Sequence, residues 1–327
     1  MNKTAVVILN WNGIKHLKQF LPSVTQFSPE AEIYVADNGS SDQSIEFLKE
    51  FYPTIKIVAL EKNYGFCEGY NKALSQINAK YYVLLNSDVE VTPNWLPPLI
   101  SELENNPNIA ACQPKILNYL QKDQFEYAGA AGGQIDILGF PYCRGRKFDK
   151  TEQDKGQYND KTKIFWASGA CLCIRSDVYH QNEGLDNSFF AHMEEIDFCW
   201  RLINQGYTIY YTAQSTVYHL GGGTLNKNNP AKTYLNFRNN LFLLHKNLPS
   251  KYLLIIIFTR MVIDGLLAFF LLFQQGKSHF IAVIKAHIDY YKNIQQLNQK
   301  RKKLKNNTIP NEIYRGSILI EHLIKKK

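Results

Sequence analysis

The 327-residue sequence has six cysteines, Cys67, Cys112, Cys143, Cys171, Cys173 and Cys199, but no C-x-x-C pair and no zinc-finger spacing. That argues against a structural zinc site or a disulfide framework and predicts reduced, mostly buried thiols. Neither G-x-G-x-x-G nor G-x-x-x-x-G-K-[ST] occurs, which removes the main support for a dinucleotide-binding or P-loop reading. The apolar run in MNKTAVVILNWNG is too short for a signal-peptide core, so no secretory export is expected. The body also lacks a charge surplus: residues 1–273 carry 25 Lys/Arg against 26 Asp/Glu, while residues 274–327 carry 12 against 3. The formal net charge of +8 therefore resides in the tail, and no nucleic-acid partner is expected. With 45% hydrophobic and 20% charged residues, the chain is neither disordered nor an ordinary multi-span membrane protein. Its length suits about two units, or one large α/β domain with appendages.

Short β-branched runs alternate with amphipathic stretches through the first hundred residues. Ala5–Leu9, Ile33–Ala36, Ile55–Leu60 and Tyr81–Leu85 read as strands, with helices between them near 14–26, 41–51 and 66–78. Continuous apolar strands of this kind are buried on both faces, which predicts a mostly parallel sheet with helices on both sides and ligands at the carboxyl ends of its strands. Residues 107–165 are less regular and include a long polar loop, FDKTEQDKGQYNDKTK, of the kind that is usually functional or mobile. A compact stretch follows from Ile164 to about Gly223, then a helix beginning near Pro230.

Tyr252–Phe273 is long and apolar enough to cross a bilayer, but Arg260 and Asp264 near its middle each cost about 2.5–3.5 kcal/mol at a helix centre. Spaced i, i+4, they can pair on one face. The favoured reading is a helix or helical hairpin lying in the membrane interface, followed by an amphipathic 277–305 segment whose KRKKLK end suits anionic lipid. A buried helix and a true span are the alternatives.

Four clusters could carry chemistry. The first lies at successive strand ends: Asn10-Trp11-Asn12-Gly13, Asp37-Asn38-Gly39-Ser40-Ser41-Asp42 and Asn63-Tyr64-Gly65-Phe66. Each alone reads equally as a turn or cap. Together they suit a nucleotide, with Asp37 accepting from a uracil or thymine imide and the amides near Gly39 and Gly65 approaching ribose or diphosphate. The second is Asn86-Ser87-Asp88, where a carboxylate can hold a hard cation against a diphosphate, or simply begin a turn. The third is His192-Met193-Glu194-Glu195-Ile196-Asp197, followed by Arg201. Its acids serve a helix dipole, and by mutual repulsion they also suit general-base work. Arg201 is placed to pair with Asp197, which leaves Glu194 and Glu195 for chemistry. The fourth is Tyr218-His219-Leu220-Gly221-Gly222-Gly223-Thr224, with His219 as a structural histidine or a neutral imidazole ligand.

In order, VVILNWNG (6–13), VADNGSSDQS (35–44), EKNYGFCEGYNKAL (61–74), VLLNSDV (83–89), FWASGACLCIRSDVY (165–179), FFAHMEEIDFCWRLINQGY (189–207) and VYHLGGGT (217–224) resemble the family 2 inverting glycosyltransferases, in particular the rhamnosyltransferase-like members that build bacterial surface polysaccharides. The resemblance covers roughly residues 1–250. It implies a GT-A fold, a nucleotide-sugar donor such as dTDP-rhamnose or a UDP-hexose, a glycan or lipid-linked acceptor, and a divalent cation, Mg2+ or Mn2+. It also implies a GT-A domain over residues 1–250, with a donor half of about 1–115 and an acceptor half of about 116–250; the apolar and basic patterns above add a helical, membrane-associating region over 251–327.

By that resemblance, Asp37 matches the base-binding aspartate, with Asn10, Asn12 and Asn38 beside it, and Asn63, Gly65 and Asn71 match the N-x-G…N donor segment. Asp88 matches the last acid of the D-x-D motif. Asn86 stands where that motif has its first acid, with Ser87 between, so cation binding leans on Asp88 and His219. Glu195 stands where E-D-x-D has its aspartate base, with Glu194 and Asp197 as its alternates. Trp166, Ser168, Gly169 and Ala170 match the segment under the sugar and acceptor, and Arg238 a basic residue facing phosphate groups. The implied activity is inverting sugar transfer at the cytoplasmic face of a bacterial inner membrane, with the protein peripheral or monotopic. Competing classes are a sugar nucleotidyltransferase and a non-catalytic nucleotide-sugar-binding protein.

Overall fold

The computed structural model describes residues 2–221, 229–304 and 308–325. Gly222, Gly223 and Thr224 of the triple-glycine motif and Lys305 of the basic run lie outside the described residues. The predicted alternation is present: β1 (Asn2–Asn10), α1 (Ile14–Phe27), β2 (Glu32–Asp37), α2 (Ser44–Phe51), β3 (Lys56–Ala59), α3 (Gly65–Leu74) and β4 (Ala79–Asn86). After β5 (Val89–Val91), α4 (Leu96–Asn105) and β6 (Ile109–Asn118) comes a separate antiparallel sheet of β7 (Gly133–Ile135), β8 (Pro141–Cys143), β9 (Arg146–Lys147) and β10 (Lys150–Thr151). The chain then forms β11 (Lys161–Ile164), β12 (Cys171–Arg175), α5 (Ser176–Gln181), α6 (Glu194–Asn204) and β13 (Thr208–His219). It ends in α7 (Pro230–Asn247), α8 (Ser250–Gln275), α9 (Lys277–Lys302) and α10 (Ile318–Lys325).

The main sheet runs β11-β13-β6-β12-β4-β1-β2-β3, with β5 paired to β13. Its β4-β1-β2-β3 half is parallel, and β6 pairs parallel with β13 while β12 runs antiparallel between β6 and β4. Side-chain alternation splits each strand between two cores. Ala5, Val7, Tyr82 and Leu84 join α3 and α6 on one face, whereas Val6, Ile8, Tyr81, Val83 and Leu85 join α1 and α4 on the other. Full burial of one such side chain contributes about 1.5–3 kcal/mol, so the two-sided pattern dictates the three-layer architecture. The six thiols are free and buried, as expected.

Residues 107–165 are more regular than their sequence suggests. Gln113, Pro114 and Lys115 interrupt the apolar run of β6, yet all ten residues of that strand are buried or nearly so. The line between 115 and 116 falls inside β6, so the sheet is continuous across the two expected halves. The long polar loop is tied down by ion pairs from Lys115 to Asp154 and Arg144 to Asp160.

The Arg260–Asp264 pair forms at 2.7 Å and faces inward: Arg260 donates to the Leu138 carbonyl and Asn240 and lies over the Phe140 ring. The opposite stripe of α8, including Leu254, Phe258, Leu266, Phe269 and Phe273, is exposed. A fully buried core helix is therefore excluded. Among the described residues α8 is the one helix long and apolar enough to cross a membrane, judged by length and composition.

Candidate active site

Strand pairing aligns the predicted loops at one sheet edge. Leu9 is in register with Asn86, Asn10 with Asp37, and Asp37 with Ala59. The ends of β1, β2, β3 and β4 thus open onto one cleft, as the parallel pattern required. Asn10 is fully buried and donates to Asp37 (3.1 Å) and Ser40 (3.2 Å). Asp37 also accepts from the Ser40 amide (3.0 Å). Two of its roughly four lone-pair sites are thereby used. Asn12, at φ +50°, accepts from the Ser41 and Asp42 amides. Asn38 donates to Asn63 and the Gly65 carbonyl and accepts from the Tyr64 amide, locking the third loop to the second. Gly65, at φ +75°, starts α3 under the exposed Phe190 ring, which a Cβ would approach to 3.0 Å.

Asp88 meets His219 through a pairing that sequence separation conceals. β5 runs antiparallel to the end of β13, with Val89 opposite His219, and His219 Nε2 lies 3.2 Å from Asp88 Oδ1. On the other side of the imidazole, Nδ1 lies 3.4 Å from Glu126 Oε2. Glu126 is buried and accepts from the Ala128 amide. Burial alone would lower the His219 pKa, but the Glu126 and Asp88 carboxylates push it up to about 10. Burial would raise Asp88, yet the His219 contact outweighs it and holds the carboxyl below its usual value. Among the described residues, no set of three or more His, Cys, Asp and Glu side chains is disposed to hold a metal on its own. The donors present still fit a cation shared with a diphosphate: one carboxylate oxygen, one imidazole nitrogen, and a second carboxylate behind that imidazole to orient it. Glu126 was not legible in the sequence, because nothing local marks the glutamate of FEYAGAAGG as a partner for a histidine 93 positions away.

The third cluster opens α6, whose Ile196 and Phe198 share a core with Leu84 of β4. Asn86 N–H donates to Ala170 O, and the turn containing Ala170 reaches α6, where the Cys199 thiol meets the Ala167 backbone. Glu195 lies one helical turn before Cys199. Burial pushes Glu195 up to about 7, and its Oε2 is buried with no hydrogen-bond partner. Burial and the neighbouring Glu195 raise Glu194 well above the ordinary range. A carboxylate that keeps one oxygen unpartnered and titrates near neutrality is suited to general-base work.

Several expected site residues are structural instead. Asp197 has no exposed surface and is bound by Arg201 (2.9 Å), Lys246 (2.9 Å) and Asn247 (2.8 Å), so it is withdrawn from the catalytic set. Asn71 donates to the Leu185 carbonyl and Asn187 and accepts from Tyr179 and the Leu185 amide, so it ties α3 to a loop and not to a donor. Trp166 packs on Gly133 and donates to the Gln134 carbonyl, and Ser168 organises its own turn through Ala128, Gln113 and Ala170. Trp166, Ser168 and Ala170 are buried, which leaves Gly169 as the part of that segment at the surface. Arg238 donates to the Ser188 and Phe189 carbonyls, so its guanidinium is held against the chain's own backbone. A cavity of about 370 Å³ lined by Asp186, Lys246, Lys300 and Lys303 lies beside this network, apart from the strand-end cleft.

Comparison with known proteins gives the family and the fold. The family model described as "Glycosyl transferase family 2" matches residues 5–181. The chain is 24% identical over 233 residues to N-acetylglucosaminyl-diphospho-decaprenol L-rhamnosyltransferase of Mycobacterium tuberculosis, covering 65% of this chain and 75% of the relative. It is also 24% identical over 290 residues to the low-salt glycan biosynthesis hexosyltransferase Agl10 of Haloferax volcanii, covering 86% and 88%. GalNAc-T7, crystallised with UDP, GalNAc and Mn2+, superposes with a TM-score of 0.60 at 15% identity. That match covers 76% of this chain and 49% of the longer protein, and at this identity it establishes the GT-A fold alone.

Proposed function

Because the chain belongs to glycosyl transferase family 2, in its rhamnosyltransferase-like branch, we propose that it transfers a sugar, with inversion, from a nucleotide-diphosphate sugar to a hydroxyl of a glycan or lipid-linked acceptor. The observation that carries this reading is Glu195, at the start of α6: a carboxylate with an unpartnered buried oxygen and a pKa near 7. Glu195 takes the proton of the acceptor hydroxyl as that oxygen attacks the anomeric carbon from the face opposite the nucleotide. Asp37 reads the base, while the loops of Asn10, Asn12, Asn38, Asn63 and Gly65 shape the nucleotide pocket. Asp88 and His219 would hold a divalent cation, with Glu126 orienting the histidine. Such a cation, Mg2+ or Mn2+, supplies charge neutralisation for the departing nucleoside diphosphate.

The test is a panel of dTDP-rhamnose, UDP-galactose and UDP-glucose, read by release of the nucleoside diphosphate with and without EDTA. Release from one donor that EDTA abolishes and Mn2+ restores is the expected result. Binding without release from any of them would favour a non-catalytic binding protein.

We further read the α8–α9 hairpin as the membrane-binding surface. Exposed apolar stripes run along both helices, through Leu254, Phe258, Leu266, Phe269 and Phe273 on α8 and through Ile281, Ile284, Ile288 and Tyr291 on α9. The cationic tail adds attraction to anionic headgroups. Replacing Phe258, Leu266 and Phe273 together by Asp should lower partitioning onto phosphatidylglycerol-containing vesicles at least tenfold. Each of these side chains contributes about 1.5–3 kcal/mol when withdrawn from water. Undiminished co-sedimentation of this variant would remove the hairpin as the anchor.

A further inference from the structure

The segment that leads into α6 is strained and held from a distance. Phe190, His192 and Met193 have φ of +65°, +69° and +73°, a region that side-chain-bearing residues rarely occupy. Five consecutive carbonyls of this segment are nonetheless occupied. Ser188 O accepts from Arg238, and Phe189 O accepts from Arg238 and Asn239. Phe190 O accepts from the Cys67 thiol, Ala191 O from Asn239 (2.8 Å) and His192 O from Asn239 (2.7 Å). The next carbonyl, of Met193, accepts the first helical hydrogen bond, from the Asp197 amide. Asn239 is fully buried, so its amide has no alternative partner in water.

We propose that Asn239, with Arg238, is a template in α7 that holds residues 188–193 in the backbone arrangement from which Glu195 enters the cleft, making Asn239 a positioning residue for sugar transfer. This rests on the reading of Glu195 as the base. Asn239 touches no reacting atom. It acts because the Ala191 and His192 carbonyls both accept from its amide group, so the left-handed residues cannot relax to negative φ without leaving those two carbonyls unpaired. The template lies 58 residues beyond the end of the matched family model, so it is carried by this chain's own α7.

Asn239→Ala should lower kcat at least tenfold, leave donor KM within threefold, and raise amide hydrogen exchange across 188–193 but not in β1–β4. Since truncating a buried amide can unfold a chain, Arg238→Gln, which is only partly buried, is measured beside it and should move kcat and exchange in the same direction by less. The deciding arm is Met193→Gly in the Asn239→Ala background. Glycine accepts positive φ without a Cβ penalty, so kcat should recover at least threefold over Asn239→Ala alone, whereas a general packing defect would worsen. An Asn239→Ala kcat within twofold of the parent, or no recovery with glycine, overturns the template. Glu195→Gln is assayed in parallel. If that variant keeps full turnover, the base reading has failed and the role of Asn239 in transfer fails with it; if it is inactive and glycine gives no recovery, the template alone has failed.

Discussion

Glu195→Gln should lose turnover by about 10²-fold or more while gaining thermal stability at pH 8. The first effect follows from removing a general base, whose contribution is typically 10²–10⁴-fold. The second follows from linkage. The folded state raises the Glu195 pKa from 4.5 to about 7 because burial penalises the charged form. A carboxyl raised in this way favours folding while protonated, and that advantage is lost as pH rises from the unfolded value through the folded one. Above pH 7 the native state carries a charge with one buried oxygen left without a hydrogen bond. A shift of this size corresponds to about 3 kcal/mol at most, and water entering the cleft reduces it. Glutamine fills the same volume without the charge, so the expected gain is about 1–2 kcal/mol at pH 8, shrinking towards zero at pH 4. In the parent enzyme, kcat/KM should fall below about pH 7 as Glu195 takes up a proton. Denaturant titrations at the two pH values, set beside the turnover measurements, check both effects. Reduced activity with reduced stability at pH 8 would mean that the carboxylate is structural. Full turnover would move the base role to Glu194.

The parts legible in the sequence are those fixed by local periodicity. The strands that carry Asn10, Asp37 and Asn86 announce themselves by continuous β-branched runs, and parallel pairing then aligns their ends without further information. The Arg260–Asp264 pair was legible for the same reason, since i, i+4 spacing is a local property. What was not legible is the direction in which a motif residue points. Trp166, Asn71 and Arg238 all lie in segments that border the cleft, but each side chain is consumed by partners that only the tertiary structure supplies: Gly133, Leu185 and Ser188. Glu126 was invisible because its meaning depends on β5 pairing with β13. The strain at Phe190, His192 and Met193 was equally hidden, because local propensity argues against a positive φ at any of the three.

Asp197→Ala should cost about 3–5 kcal/mol of folding stability, the range for breaking a buried charge network by removing one partner. The carboxylate sits with no exposed surface between Arg201 on its own helix and Lys246 and Asn247 on α7. Lys246 also pairs with Asp186, which in turn takes Lys300 from α9. Burial would raise the Asp186 carboxyl, but Lys246 and Lys300 overcome it and drive that group far below the usual carboxylate range. Removing Asp197 leaves Arg201 without its carboxylate and Lys246 sharing Asp186 with Lys300. The unpaired charge, more than the lost attraction, sets the penalty. Both measurable quantities should therefore fall together in Asp197→Ala, in contrast to Glu195→Gln, where activity falls as stability rises. Asp197→Asn is the sharper control, because it keeps the volume and removes only the charge. If Asp197→Asn retains the parent unfolding midpoint but is inactive, Asp197 returns to the chemistry. If it loses stability and its remaining folded fraction still turns over substrate, Asp197 holds α6 to α7 and leaves the proton to Glu195.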